Sequence, residues 1–132
     1  MVFRIASGRA RVRAFTLIEL IVVMAIVSLL LTLALPRYFH SIDVSKETAL
    51  KENLRTVRET IDKFYGDTGR YPESLEELVE RKYLRAIPVD PVTETRDAWI
   101  VIAPEGDAKG RVYDIRSSAQ GNTLDGKPFG EL

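Results

Sequence analysis

One acidic side chain in this sequence stands where a charge is costly. Glu19 lies near the start of an apolar run, residues 15–35, in which the other polar side chains are Thr16, Ser28 and Thr32. A carboxylate in hydrocarbon costs several kcal/mol unless it is paired or lies close to the membrane interface. Glu19 is therefore expected either to pair with a cation or to lie among lipid headgroups.

The other titratable residues do not form a catalytic pattern. The single histidine, His40, is followed by Ser41 and Asp43, but on a helix these three have the wrong geometry for a catalytic triad. One histidine and scattered acids are also too few ligands for a histidine-based metal site. The carboxylates of residues 73–80 fit a helix N-terminus and a solvated face. We therefore expect no enzymatic activity.

The apolar run is long enough to cross a membrane as a helix. At about 1.5 Å per residue it spans roughly 30 Å, the thickness of the hydrocarbon core. Residues 1–14 carry four arginines and no acid, so the N-terminus is expected in the cytoplasm and the C-terminal part outside it. The remainder has 15 basic against 19 acidic residues, which argues against nucleic-acid binding. The sequence has no cysteine, so disulfides are excluded.

After the run, residues 37–66 are predicted to continue the helix in amphipathic form. Pro36 lacks a backbone N–H and is expected to break the helix between the two parts. Apolar residues then recur at steps of four, three, four and three, which is one stripe of a helix: Leu50, Leu54, Val57, Ile61 and Phe64. The residues between them, including Arg58, suit a solvated face. We expect the stripe to pack inside its own domain; the alternative is a stripe shared with a neighbouring subunit.

Residues 67–132 are predicted to form a small α+β head. Gly66 and Gly69 end the long helix, and Ser74 with Glu77 forms a capping box that starts a short one. Residues 98–103 and 111–116 are predicted to pair as antiparallel strands. The predicted fold is thus a long N-terminal helix, membrane-spanning in its first half, packed on a small antiparallel sheet with a short helix.

The stretch "AFTLIELIVVMAIVSLLLTLALP" closely resembles the prepilin signature of type IV pilins and type II secretion pseudopilins. The resemblance implies that residues 1–14 are a leader, cut by prepilin peptidase between Ala14 and Phe15, and that Phe15 is then N-methylated. The family usually has glycine where this chain has Ala14. Glu19 becomes the fifth mature residue, which pairs with a neighbour's new amine and fixes filament register. Pro36 falls where the family often has a helix-interrupting proline, and the fold implied is pilin-like.

Two later stretches, "GDTGRYPESLEELV" and "VYDIRS", resemble the major pseudopilins, the G subunits of type II secretion. This implies a homo-oligomeric pseudopilus that promotes export across the outer membrane. The implied partners are prepilin peptidase, other pseudopilins, an assembly platform protein and a secretion ATPase. The implied location is the bacterial inner membrane, with the head and filament in the periplasm. The alternatives are a type IV pilin of a surface fibre, for adhesion, motility or DNA uptake, and a single-span anchored binding domain.

The resemblance also implies a possible calcium site, because G subunits bind calcium through acidic residues of their C-terminal loop. Calcium takes six to eight oxygen ligands, several of them carboxylates. The corresponding part of this chain offers Asp114, Asn122 and Asp125. The alternative is a solvated polar loop, and no other cofactor is expected.

Overall fold

The computed structural model describes residues 2–3, 8 and 13–132. Its elements are α1 (Leu17–Thr68), α2 (Leu75–Glu80), β1 (Trp99–Ile102), β2 (Asp114–Ser117) and a short 3-10 helix (Phe129–Glu131). The chain divides into two compact units, Met1–Tyr38 and Phe39–Leu132. The long apolar helix, the short helix and the small antiparallel sheet confirm the predicted pilin-like α+β fold. The predicted leader lies mostly outside the described residues.

The long helix α1 runs through Pro36 without interruption. The predicted helix break at this residue is therefore wrong for this structure. Proline removes a single intrahelical hydrogen bond, and the turns on both sides keep theirs.

The C-terminal end of α1 lies at Gly69 rather than at Gly66. Gly69 has a φ of +74°, and its N–H donates to the carbonyl of Tyr65 at 2.8 Å. This is a left-handed C-terminal cap, a conformation that glycine adopts without a steric penalty. Gly66 stays inside the helix, so its predicted capping role is wrong and Gly69 alone supplies the cap.

The predicted apolar stripe forms the core of the second unit. All five of its side chains are at most 1% exposed. They pack with side chains of α2, the two strands and the segment before β2: Leu75, Leu78, Trp99, Val112 and Ile115. Because the stripe is buried within its own unit, it is not available to a neighbouring subunit, and the first of the two predicted uses is confirmed.

The two strands pair antiparallel, with Trp99 opposite Ser117 and Ile102 opposite Asp114. The second strand begins three residues later than predicted. The reason is that the N–H groups of Arg111 and Val112 donate to the carbonyl of Pro72, at 3.0 and 2.9 Å, and not to β1.

The capping box at α2 forms in part. The N–H of Glu77 donates to the Ser74 hydroxyl at 3.3 Å. The Glu77 carboxylate, however, accepts the N–H of Glu73 at 2.7 Å, one residue before the N-cap. It also accepts Arg70 Nη2 at 2.5 Å and Nη1 at 3.2 Å. The Arg70 hydrogen bond lowers the pKa of Glu77 to about 2, so this carboxylate fastens the start of α2 to the segment after α1.

Candidate assembly and processing segment

The start of α1 is set by a threonine. Residues 13–16 are not helical, and α1 begins at Leu17. Thr16 Oγ1 accepts the N–H of Glu19 at 3.2 Å, the contact that a side chain makes at the N-cap of a helix. The peptide bond between Ala14 and Phe15 therefore lies outside the helix, and Phe15 is 84% exposed.

Glu19 lies in the first turn of α1, three residues after the cap. A carboxylate there favours the positive end of the helix dipole. Among residues 13–132 no cation lies within ion-pair distance of its carboxylate, which is exposed. The described residues therefore supply no cation to this carboxylate.

The apolar part of α1 packs against no other element of the described residues. Among the described residues α1 is the one helix that is long and apolar enough to span a membrane, and none of the residues in its most apolar window is buried. The hydroxyls of Ser28 and Thr32 donate to the carbonyls of Met24 and Ser28, at 2.8 Å each. These bonds satisfy the two hydroxyls inside the helix, so this part of α1 offers a hydrocarbon surface to lipid or to other helices.

The structure places the three calcium candidates in different surroundings. Asp114 lies in β2, where its Oδ1 accepts Arg58 Nε at 2.7 Å. It lines a cavity with Arg58 and Asp62, whereas Asn122 lines another one with Glu47. Asp125 is exposed. Within residues 13–132 no group of three or more His, Cys, Asp or Glu is arranged to hold a metal. Calcium binding remains an untested prediction.

Arg58, placed on the solvated face from the sequence, instead joins α1 to the end of the chain. Besides Asp114, it donates through Nη2 to the carbonyls of Ile115 at 3.0 Å and Leu132 at 2.8 Å. These contacts join residues 56 to 74 positions apart, so no local pattern in the sequence could have revealed them.

Glu47 is a second contact that the sequence reasoning missed. This residue is 9% exposed, and its carboxylate accepts Lys51 Nζ at 2.6 Å and the N–H of Leu124 at 2.9 Å. The Lys51 bond, followed by the Leu124 bond, lowers the pKa of Glu47. The sequence does indicate that Glu47 is buried, because it lies three residues before Leu50 and so continues the apolar stripe by one helical turn.

Comparison with known proteins decides the family. Residues 9–35 match the prokaryotic N-terminal methylation motif. The type II secretion system core protein G of Pseudomonas aeruginosa is 30% identical over 99 residues, covering 63% of this chain and 70% of the relative. The chain belongs to the type IV pilin and pseudopilin family.

Other relatives include both a type II secretion protein and a type IV pilin. The core protein G of Xanthomonas campestris is 29% identical over 131 residues, or 95% of this chain and 87% of the relative. The type IV major pilin protein PilA of Myxococcus xanthus is 32% identical over 75 residues. That alignment covers 57% of this pseudopilin-like chain but only 34% of PilA. No solved structure matches the chain.

Proposed function

We propose that this chain is a structural subunit of a type II secretion pseudopilus. The observation that carries the proposal is the apolar first part of α1, none of whose residues is buried, with Glu19 in its first turn. The lengthwise similarity to two core G proteins supports the pseudopilus over other filaments. A structural role agrees with the family, whose members are not enzymes.

In the proposed pathway the chain is inserted with residues 1–14 in the cytoplasm and the head, about residues 67–132, in the periplasm. Prepilin peptidase cuts between Ala14 and Phe15, and Phe15 is N-methylated. Subunits then leave the inner membrane and pack through residues 15–36 into a helical filament, with residues 37–66 leading to the heads. Other pseudopilins, a platform protein and a secretion ATPase take part in this assembly, and the filament promotes export across the outer membrane.

Glu19 has a defined task in this pathway. Its carboxylate pairs with the Phe15 amine of a neighbouring subunit inside a bundle of apolar helices. An ion pair that is buried in this way adds little net stability, but it is satisfied only at one axial stagger. Glu19 would therefore fix the register of the filament more than it strengthens it.

Intact-mass measurement of the chain purified from its own membranes tests the processing step. The expected species begins at Phe15 and carries one N-methyl group. A chain that still begins at Met1 and carries no methyl group would refute the proposal and would favour a single-span anchored binding domain.

A type IV pilin is the second candidate, favoured by the similarity to PilA over 75 residues. The same apolar helix serves both kinds of filament, so a deletion strain separates them. Loss of protein secretion, with only short periplasmic filaments, identifies a pseudopilin. Loss of long surface fibres or of twitching, with secretion intact, identifies a pilin.

A further inference from the structure

The hydroxyl of Thr16 decides where α1 begins. It accepts the N–H of Glu19, and the Thr16 carbonyl accepts the N–H of Leu20, both at 3.2 Å. If the helix continued toward the N-terminus, the N–H of Glu19 would instead bond to the carbonyl four residues earlier, that of Phe15. The Thr16 hydroxyl takes the place of that carbonyl as the acceptor, so the helix begins just after Thr16 and does not extend further toward the N-terminus.

The residues just before Thr16 contain no other stop signal. Ala14 is the best helix former and Arg13 is a good one. Close to hydrocarbon, backbone groups without a hydrogen-bond partner are costly, which favours extension of α1 into this segment. An extended helix would bond the N–H of Ile18 to the carbonyl of Ala14, which belongs to the peptide bond between Ala14 and Phe15.

We propose that Thr16 is a positioning residue for processing: its cap keeps the bond between Ala14 and Phe15 out of the helix and open to the peptidase. This inference rests on the proposed function, since it presupposes that cut. The cut is a hydrolysis, in which water adds across the amide C–N bond, Ala14 gains a carboxylate and Phe15 becomes an amine. Proteins recognise extended peptides through hydrogen bonds to the main-chain N–H and C=O groups of the peptide. In a helical segment these groups are already paired with each other, so they are not available to the peptidase.

The test measures cleavage of the full-length chain in membrane vesicles by prepilin peptidase. Thr16→Val keeps the side-chain shape but removes the capping oxygen, whereas Thr16→Ser and Thr16→Asn keep one. A cap of ordinary strength corresponds to about a five-fold change in population. We expect Thr16→Val to raise KM by up to about five-fold at unchanged kcat, because only the non-helical fraction of the chain binds the peptidase.

A matched control and a spectroscopic signature accompany the kinetics. Thr32→Val removes a hydroxyl that bonds only to its own helix, and it should be cleaved at the wild-type rate. The carbonyl ¹³C shifts of Ala14 and Phe15, measured in micelles, should move toward helical values in Thr16→Val and stay unchanged in Thr16→Ser.

Wild-type kinetics for Thr16→Val would overturn the inference while leaving the proposed function intact. Slow cleavage of Thr16→Ser and Thr16→Asn as well would also overturn the inference, because it would mean that the peptidase recognises the threonine side chain directly and not the cap. Failure of the wild-type chain to be cleaved at Phe15 would instead refute the proposed function.

Discussion

Replacing Arg58 with methionine should destabilise the second unit by about 2–3 kcal/mol. Its guanidinium makes three hydrogen bonds of 2.7–3.0 Å, to Asp114, Ile115 and Leu132. A hydrogen bond from a charged group contributes about 1.5–3 kcal/mol when buried. The Arg58 and Asp114 side chains are 34% and 28% exposed, so water replaces part of the loss and the expected total stays well below the sum.

The matched control is Arg55→Met on the same helix. Arg55 also contacts carboxylates, those of Glu52 and Glu59, but its side chain is 62% exposed. Exposed pairs of this kind contribute less than about 1 kcal/mol. Both variants therefore remove a guanidinium group. Arg58 connects α1 to distant parts of the chain, whereas Arg55 contacts only residues of its own helix in the interactions described.

Urea unfolding of the full chain in mild detergent, followed by the fluorescence of Trp99, gives the measurement. Trp99 is the single tryptophan and is 9% exposed, so it reports on the core of the second unit. With a urea m-value of about 1 kcal/mol per molar, the urea midpoint should fall by about 2–3 M in Arg58→Met. Equal midpoints for Arg58→Met and Arg55→Met would refute the reasoning.

Two further predictions concern single carboxylates. The pKa of Glu77 is lowered from 4.5 to about 2 by Arg70, so its contribution to stability is complete above about pH 4.5 and is lost as the pH falls through 2. Glu77→Gln should cost about 1–2 kcal/mol at pH 7 and flatten the acid limb of the urea midpoint plotted against pH; an unchanged acid limb would contradict this. Glu19→Ala should leave the chain in the membrane but block or misregister filaments in electron micrographs, and normal filaments from this variant would remove the pairing argument.

The features that the sequence predicts correctly are those that depend on near neighbours. The stripe from Leu50 to Phe64 follows from helical spacing alone, and the Ser74 cap follows from a four-residue pattern. The same pattern, threonine followed three positions later by glutamate, stands at Thr16 and Glu19, so the cap of α1 could have been found in the same way.

The missed features depend on residues that are far apart in the chain. The start of β2 is set by Pro72, which takes the N–H groups of Arg111 and Val112. Arg58 has the charge of a solvated residue, and only folding brings Asp114 and Leu132 to it. The sequence predicts the position and length of the candidate assembly segment. A single chain cannot show the ion pair of Glu19, because the expected partner of this carboxylate belongs to another subunit.

The two attachments of the C-terminal segment to α1 give it a distinct response to solution conditions. Glu47 accepts the N–H of Leu124, and Arg58 donates to the main-chain oxygen of Leu132. Both contacts involve a charged side chain, so salt screens them. The apolar stripe beneath them contains no titrating group and is strengthened rather than weakened by salting-out ions. The last residues should therefore open locally before the core does when the salt concentration is raised, and hydrogen exchange at high ionic strength should reach their amides first.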